Sequence, residues 1–111
     1  MSAYAIGHVQ SVTPGLAIVE YLKRIDATLA PHEGRFIVHG DPADVREGEF
    51  RGDLIVIAFP DRDKAVSWYE SAAYQEIAPL RKENTQGWVV LIDGVPNDHR
   101  ATDILTTNAS D

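Results

Sequence analysis

The chain has 111 residues, of which 44% are apolar and 24% are charged, as is usual for one globular domain. It contains no cysteine, which excludes a disulfide framework, a thiolate zinc site and a cysteine nucleophile. Its formal charge of −7 opposes binding to nucleic acid, because such binding depends on clustered Lys and Arg. We therefore expect no nucleic-acid partner.

Neither a signal peptide nor a membrane segment is expected. The first ten residues lack the basic and apolar stretches of a signal peptide. The longest apolar run, residues 54–59, is far shorter than the roughly 20 residues of a membrane span. These features predict a cytoplasmic protein that does not bind membranes.

Alternation at residues 4–12 predicts the first strand. One face of this strand would carry Tyr4, Ile6, His8, Gln10 and Val12. The residues of the other face are small, which would let helices approach closely.

The first helix is predicted to begin just after this strand, with Thr13 as its N-cap and Pro14 as its first residue. Helical spacing then predicts a buried stripe of Ile18, Leu22, Ile25 and Leu29. The helix is expected to end around Pro31, His32 and Gly34.

Residues 35–40 form the predicted second strand. Strict alternation would put Phe36 and Val38 on one face and Arg35, Ile37 and His39 on the other. Residues 45–47 could continue this strand after a bulge.

The remaining elements complete a ferredoxin-like fold. Residues 54–59 read as a central strand, and residues 88–92 read as the last one. Between them, Asp61 and Ser71 would cap two helices, the second of them broken or kinked at Pro79. The order is the split βαβ pattern of an α+β domain with a four-stranded antiparallel sheet, predicted over residues 1–95.

The uncovered face of this sheet predicts a homodimer. Helices on one face leave the other bare, yet residues 54–59 and 88–92 are apolar on both faces. A monomer would expose more contiguous apolar surface than is usual for a soluble protein. Two sheets that pair face to face would remove that surface from water, as in a dimeric α/β barrel.

Several segments resemble one bacterial family. They are HEGRFIV from His32, EG from Glu47, IVIAFP from Ile55, WYESAAYQ from Trp68 and PLR from Pro79. Together they are similar to domain of unknown function 1330, in the dimeric α/β barrel superfamily, over roughly residues 3–95. His39 stands where that family commonly has Arg, and Asp41 where it commonly has Gly. The resemblance implies a pocket inside the barrel but no particular reaction.

His8 is the candidate catalytic residue. Imidazole titrates near neutral pH, so His8 could act as a general acid or base if its strand face lines the barrel cleft. Gln10 would orient polar groups of a substrate, and Tyr4 and Trp88 would line the same site. The alternative is a structural histidine that is hydrogen-bonded to a neighbouring strand.

Arg35 and His39 are further candidates for binding a substrate carboxylate, with a solvated edge strand as the alternative. The other aromatic side chains are interpreted as packing residues. The four histidines match no metal-ligand spacing and no nucleotide loop is present, so neither metal nor cofactor is expected. The leading hypothesis is a small-molecule pocket in a cofactor-free enzyme for an apolar or aromatic metabolite. The alternative is a ligand-binding or structural dimer without catalysis.

Residues 96–111 have the composition of a polar tail. Ile104 and Leu105 are its large apolar residues beyond Pro96. We expect one of them to be buried against the partner subunit, with the chain's own subunit as the alternative.

Overall fold

The computed structural model describes residues 1–105, which form a four-stranded sheet and three α-helices. In chain order the elements are β1 (Ala3–Val12), α1 (Leu16–Leu29), β2 (Arg35–His39), β3 (Asp53–Phe59), α2 (Arg62–Glu70), α3 (Ala72–Lys82) and β4 (Thr85–Asp93). The strand order is β2-β3-β1-β4, and every neighbouring pair is antiparallel. The predicted ferredoxin-like α+β fold is confirmed, with β3 and β1 in the centre.

Small residues on β1 let the helices lie close to one face of the sheet. Ala3 and Ala5 are buried there beside Ile57 and Phe59 of β3. The helices contribute their own large side chains to this core, including Trp68, Tyr74 and Ile77. Burial of each large apolar side chain contributes roughly 1.5–3 kcal/mol, so this face supplies most of the stability of a single chain.

Both predicted N-caps of the helices between β3 and β4 are confirmed. The Asp61 Oδ1 atom accepts a hydrogen bond from the Lys64 backbone N–H at 2.9 Å, and Ser71 Oγ accepts one from the Tyr74 N–H at 3.2 Å. Pro79 does not break α3, which continues to Lys82. Packing of α3 against α1 compensates for the hydrogen bond that proline removes.

The predicted start of α1 is wrong. The helix begins at Leu16, with Gly15 as an N-cap that offers no side-chain hydrogen bond. Thr13 instead extends the sheet edge, because its N–H donates to the Asn84 carbonyl at 2.7 Å. The buried residues of α1 are Tyr21, Ile25, Thr28 and Leu29, so the predicted stripe is correct only in its second half.

A bulge overturns the predicted faces of β2. The register shifts between Phe36 and Val38, so Phe36 and His39 share one face and their rings stack at 4.3 Å. One extra residue in a strand moves everything after it to the other face. Residues 41–50 are exposed and contain no strand, so the predicted continuation at residues 45–47 is also wrong.

The far face of the sheet, hereafter the open face, is not covered by α1, α2 or α3. Trp88, Val90 and Ile92 of β4 are about half exposed there, beside Ile6 of β1 and Val56 of β3. The last described residues leave the sheet, and Ile104 and Leu105 are exposed on the single chain. Residues 106–111 lie outside the described part, so burial of the tail on a partner stays a prediction.

Candidate functional site

A cavity of about 350 Å³ lies between α1 and the helix-covered face of the sheet. Its apolar walls are formed by Ile18, Leu22 and Ile25 of α1 and by Ile55, Ile57 and Val89 of the sheet. Ala5 and Gly7 lie on its floor, where larger side chains would fill the space. Pockets of this size and polarity are typical of sites for small organic molecules.

Three linked polar side chains lie at one end of the cavity. The hydroxyls of Tyr21 on α1 and Tyr74 on α3 are hydrogen-bonded to each other at 2.8 Å. The Nε–H of Arg81, at the end of α3, donates to the Tyr74 hydroxyl at 3.4 Å. All three side chains line the cavity, and we call them the Tyr–Tyr–Arg cluster.

Burial makes the Tyr21 hydroxyl a donor rather than an anion. Removal from water raises the pKa of Tyr21 far above its ordinary value, and the neighbouring Tyr74 raises it further. The positive charge of Arg81 lowers this pKa but does not overcome the effect of burial. The phenol therefore stays protonated at every physiological pH.

Trp68 and Thr28 form a second buried polar pair beside the cavity, and their hydrogen-bond donors have acceptors within the chain. The Trp68 indole N–H donates to Thr28 Oγ1 at 3.0 Å, and the Thr28 hydroxyl donates to the Ile25 carbonyl at 2.6 Å. Each of these hydrogens has an acceptor, so this pair fixes α2 against α1 without needing a ligand.

His39 and Asp53 line the cavity at the β2 and β3 side of the sheet. This side is at the opposite edge of the sheet from β4. The Tyr–Tyr–Arg cluster lies near β4, because the Thr85 hydroxyl at the start of β4 donates to the Arg81 carbonyl at 2.8 Å. The His39 ring lies against Phe36 rather than beside Arg35. The predicted carboxylate clamp of Arg35 and His39 is therefore wrong, because the bulge in β2 puts the two side chains on opposite faces.

The side chains of the other predicted site residues lie on the open face, although His8 and Trp88 are also among the residues that line the cavity. His8, Gln10 and Trp88 border a shallow depression together with Phe50 from the exposed loop. The His8 ring stacks on Trp88 at 5.7 Å, and Phe50 meets it edge-on at the same distance. His8 Nε2 donates to the Arg51 carbonyl at 2.6 Å, which leaves Nδ1 as the ring nitrogen for another partner.

Tyr4 does not join this group. It lies four residues from His8 along β1, roughly 13 Å away, opposite Ala58. Arg35 also pairs with Ala58, from the β2 side. The structure thus brings together His8, Gln10 and Trp88 and leaves Tyr4 and Arg35 at the other end of the open face.

Sequence reasoning misses the Tyr–Tyr–Arg cluster, because it assigns both tyrosines to packing. The spacing of seven between Tyr74 and Arg81 puts them on one face of a helix, and that was the available signal. Tyr21 lies 53 residues before Tyr74, and no local pattern connects them.

Among residues 1–105 no three His, Asp or Glu side chains come together as a metal site. None of the helices in these residues is long and apolar enough to cross a bilayer.

The fold and cavity define a small ferredoxin-like α+β protein, and the sequence assigns it to a family. Residues 2–95 match the model of the domain of unknown function DUF1330, so the chain belongs to that family, as the resemblance indicated. No curated protein sequence matches the chain.

Solved structures show the same fold. A protein of unknown function from Rhodopseudomonas palustris aligns with a TM-score of 0.65 and 11% identity, over 86% of this chain and 83% of its own. A dimeric ferredoxin-like protein of unknown function from Jannaschia sp. CCS1 aligns with a TM-score of 0.65 and 12% identity, over 85% and 100%. SnoaB, a cofactor-independent oxygenase from Streptomyces nogalater, aligns with a TM-score of 0.52 and 13% identity, over 89% and 96%. At these identities the similarity establishes the fold alone.

Proposed function

We propose that this protein is a homodimer that binds an apolar or aromatic small molecule in the cavity between α1 and the sheet. The observation that carries the proposal is the cavity itself, with apolar walls and a cluster of hydrogen-bonding side chains at one end. Apolar walls provide affinity, and a few placed polar groups provide orientation.

The open face supports the dimer half of the proposal. Its half-exposed Trp88, Val90 and Ile92 form an apolar strip along β4. The structural neighbour from Jannaschia sp. CCS1 is dimeric and has this fold. A second copy that covers this face should bury at least about 1,000 Å² in total, the size of a specific interface.

Catalysis is the more specific version of the proposal. A cofactor-independent oxygenase has this fold, which makes chemistry without a cofactor compatible with it. His8, the predicted base, lies at the open-face depression, where a partner subunit would cover it. Its catalytic role stays a prediction, with a ligand-binding protein without catalysis as the alternative.

The binding proposal is tested by filling the cavity. In Gly7→Val the first added carbon would lie 3.8 Å from Val89 Cγ2, an ordinary contact, and the two methyl groups would occupy cavity space. A panel of small aromatic and aliphatic compounds is screened by thermal shift, and the compounds that bind are titrated calorimetrically. Ala27→Val on the exposed surface of α1 is the matched control.

We expect several compounds to bind to the parent and to Ala27→Val, and to bind at least about tenfold more weakly to a folded Gly7→Val. If no compound binds, or if Gly7→Val binds as the parent does, the cavity is not the site.

A further inference from the structure

We propose that the ligand of the cavity is a carboxylate, whose anionic group binds Arg81 and the Tyr21–Tyr74 hydroxyl pair while its apolar part contacts α1 and the sheet. This inference rests on the proposed small-molecule function and adds the ligand's charge and orientation. Three observations carry it.

The first observation is a count of hydroxyl protons. Tyr21 and Tyr74 have two O–H protons, and the 2.8 Å bond between them uses one. The contact with Arg81 brings in another proton and accepts none, because guanidinium only donates. Among residues 1–105 no acceptor receives the second tyrosine proton. A buried donor needs an acceptor, which water or a ligand in the cavity can supply, so the cluster can donate a hydrogen bond to an acceptor group of the ligand.

The second observation is the charge of Arg81. The arginines at positions 24, 46, 51 and 62 each form an ion pair with a carboxylate. Arg81 is half-buried and contacts the neutral hydroxyls of Tyr74 and Tyr21, and within the described residues it forms no ion pair with a carboxylate. A partly buried cation is stabilised by an anion, and a guanidinium fork fits a carboxylate with two parallel hydrogen bonds.

The third observation is the contrast within the cavity. The Tyr–Tyr–Arg cluster carries the cationic Arg81, the opposite side of the cavity carries His39 and the acidic Asp53, and Ile18, Ile25 and Val89 form apolar walls. Such a division suits an amphipathic acid better than a wholly apolar compound or a sugar.

The test uses pairs of compounds that differ only in charge. Benzoate, 3-phenylpropanoate and octanoate are each titrated calorimetrically against their methyl esters at pH 7.5. The proteins are the parent chain, Arg81→Met, Arg81→Lys and Tyr21→Phe. Arg24→Met, which removes an ion-paired arginine outside the cavity, is the matched control.

We expect at least one acid to bind the parent and Arg24→Met at least about tenfold more tightly than its ester. Arg81→Met should weaken the acid by about 10- to 100-fold, as expected for a charged hydrogen bond, and change the ester by less than about threefold. Arg81→Lys keeps the positive charge but loses the two parallel hydrogen bonds of the guanidinium group. Its affinity for the acid should lie between those of the parent and Arg81→Met, and it provides a result even if Arg81→Met does not fold. Tyr21→Phe should weaken the acid more than the ester.

Esters that bind as tightly as their acids, or an equal loss for both in a folded Arg81→Met, would overturn the carboxylate inference and leave the binding function standing. Phenol supplies a further arm, because it is uncharged at pH 7.5. Phenol that binds as tightly as benzoate would also overturn the inference. If neither acids nor esters bind the parent, the proposed function itself fails.

Discussion

The two faces of the sheet are made from alternating residues of the same strands, yet they differ in what they can hold. On β1, Ala3, Ala5 and Gly7 face the helices, whereas Tyr4, Ile6 and His8 point to the open face. Small residues on the covered face leave a cavity under α1, while bulky residues on the open face form an apolar surface.

The polar groups follow the same division. On the covered face, Thr28, Tyr21 and Tyr74 are buried and hydrogen-bonded to side chains from other helices. On the open face, His8 has one hydrogen bond, to the backbone of an exposed loop. A preorganised polar cluster is suited to a small ligand, and a broad apolar strip is suited to a protein partner.

The largest expected effect is loss of the dimer through a charge on the open face. Val90 lies on the open face, opposite Ile6 and midway along the edge strand β4. In Val90→Asp an unpaired carboxylate would be buried between subunits, at a cost of about 3–5 kcal/mol. Sedimentation velocity should show a folded monomer where the parent is a dimer.

Leu16→Asp, at the exposed first residue of α1, is the control and should leave the dimer intact. A parent chain that is monomeric at micromolar concentration, or a Val90→Asp chain that is still dimeric, would contradict the assignment of the open face to a partner.

Substitution of one isoleucine on each face compares how much the two faces stabilise a single chain. Ile77 on α3 is fully buried under the helices, whereas Ile92 on the open face is 48% exposed. In the monomeric Val90→Asp background, Ile77→Ala should lower the free energy of unfolding by about 2–5 kcal/mol, because it leaves a cavity in the core. Ile92→Ala should lower it by less than about 1 kcal/mol. Urea unfolding measures both, and equal losses would mean that the open face belongs to the core of a single chain.

Alkaline pH should lower the stability of the folded chain through Tyr21 on the covered face. The pKa of Tyr21 is raised in the folded chain, while in the unfolded chain it lies near 10. Below pH about 10 both states hold the proton, so the contribution of the neutral phenol is fully present there. Above that pH the unfolded state loses the proton first, and stability falls by up to about 1.4 kcal/mol per pH unit.

In Tyr21→Phe, the free energy of unfolding measured with urea should fall less steeply between about pH 10 and 11 than in the parent. Tyr4→Phe removes a hydroxyl from the open face and is the control. An identical decline in the parent and in Tyr21→Phe would show that this hydroxyl is not held neutral by the fold.

The smallest expected effect is that of His8→Asn. His8 is half-buried and has a single hydrogen bond, so stability should change by less than about 1 kcal/mol. His8 lines one side of the helix-side cavity, but its ring packs against Trp88 and Phe50 at the open face. Affinity for a ligand of the cavity should therefore be unchanged within about twofold. Titration of the same ligand measures this. Abolished binding with an unchanged melting temperature would move the site to the open face and support His8 as its functional residue.

Local rules predicted most of the fold and little of the site. Asp61 and Ser71 were recognised as caps because a cap depends on the three residues that follow it. The α1 cap failed because the Thr13 N–H is held by Asn84, which is 71 positions away in the chain. The Arg35–His39 pair failed because a bulge in β2 has no distinct signature in the five residues of that strand.

What the sequence by itself determined is the order of strands and helices, the family, and the presence of more apolar strand surface than one layer of helices can cover. These follow from periodicity and composition, which act over a few neighbouring residues. Tertiary structure alone decided that Tyr21, Tyr74 and Arg81 meet at one end of a cavity, and that His39 faces this cavity while Arg35 does not. The reason is that a cavity arises where α1 and the sheet fail to fill the space between them, and the packing of distant segments sets that space.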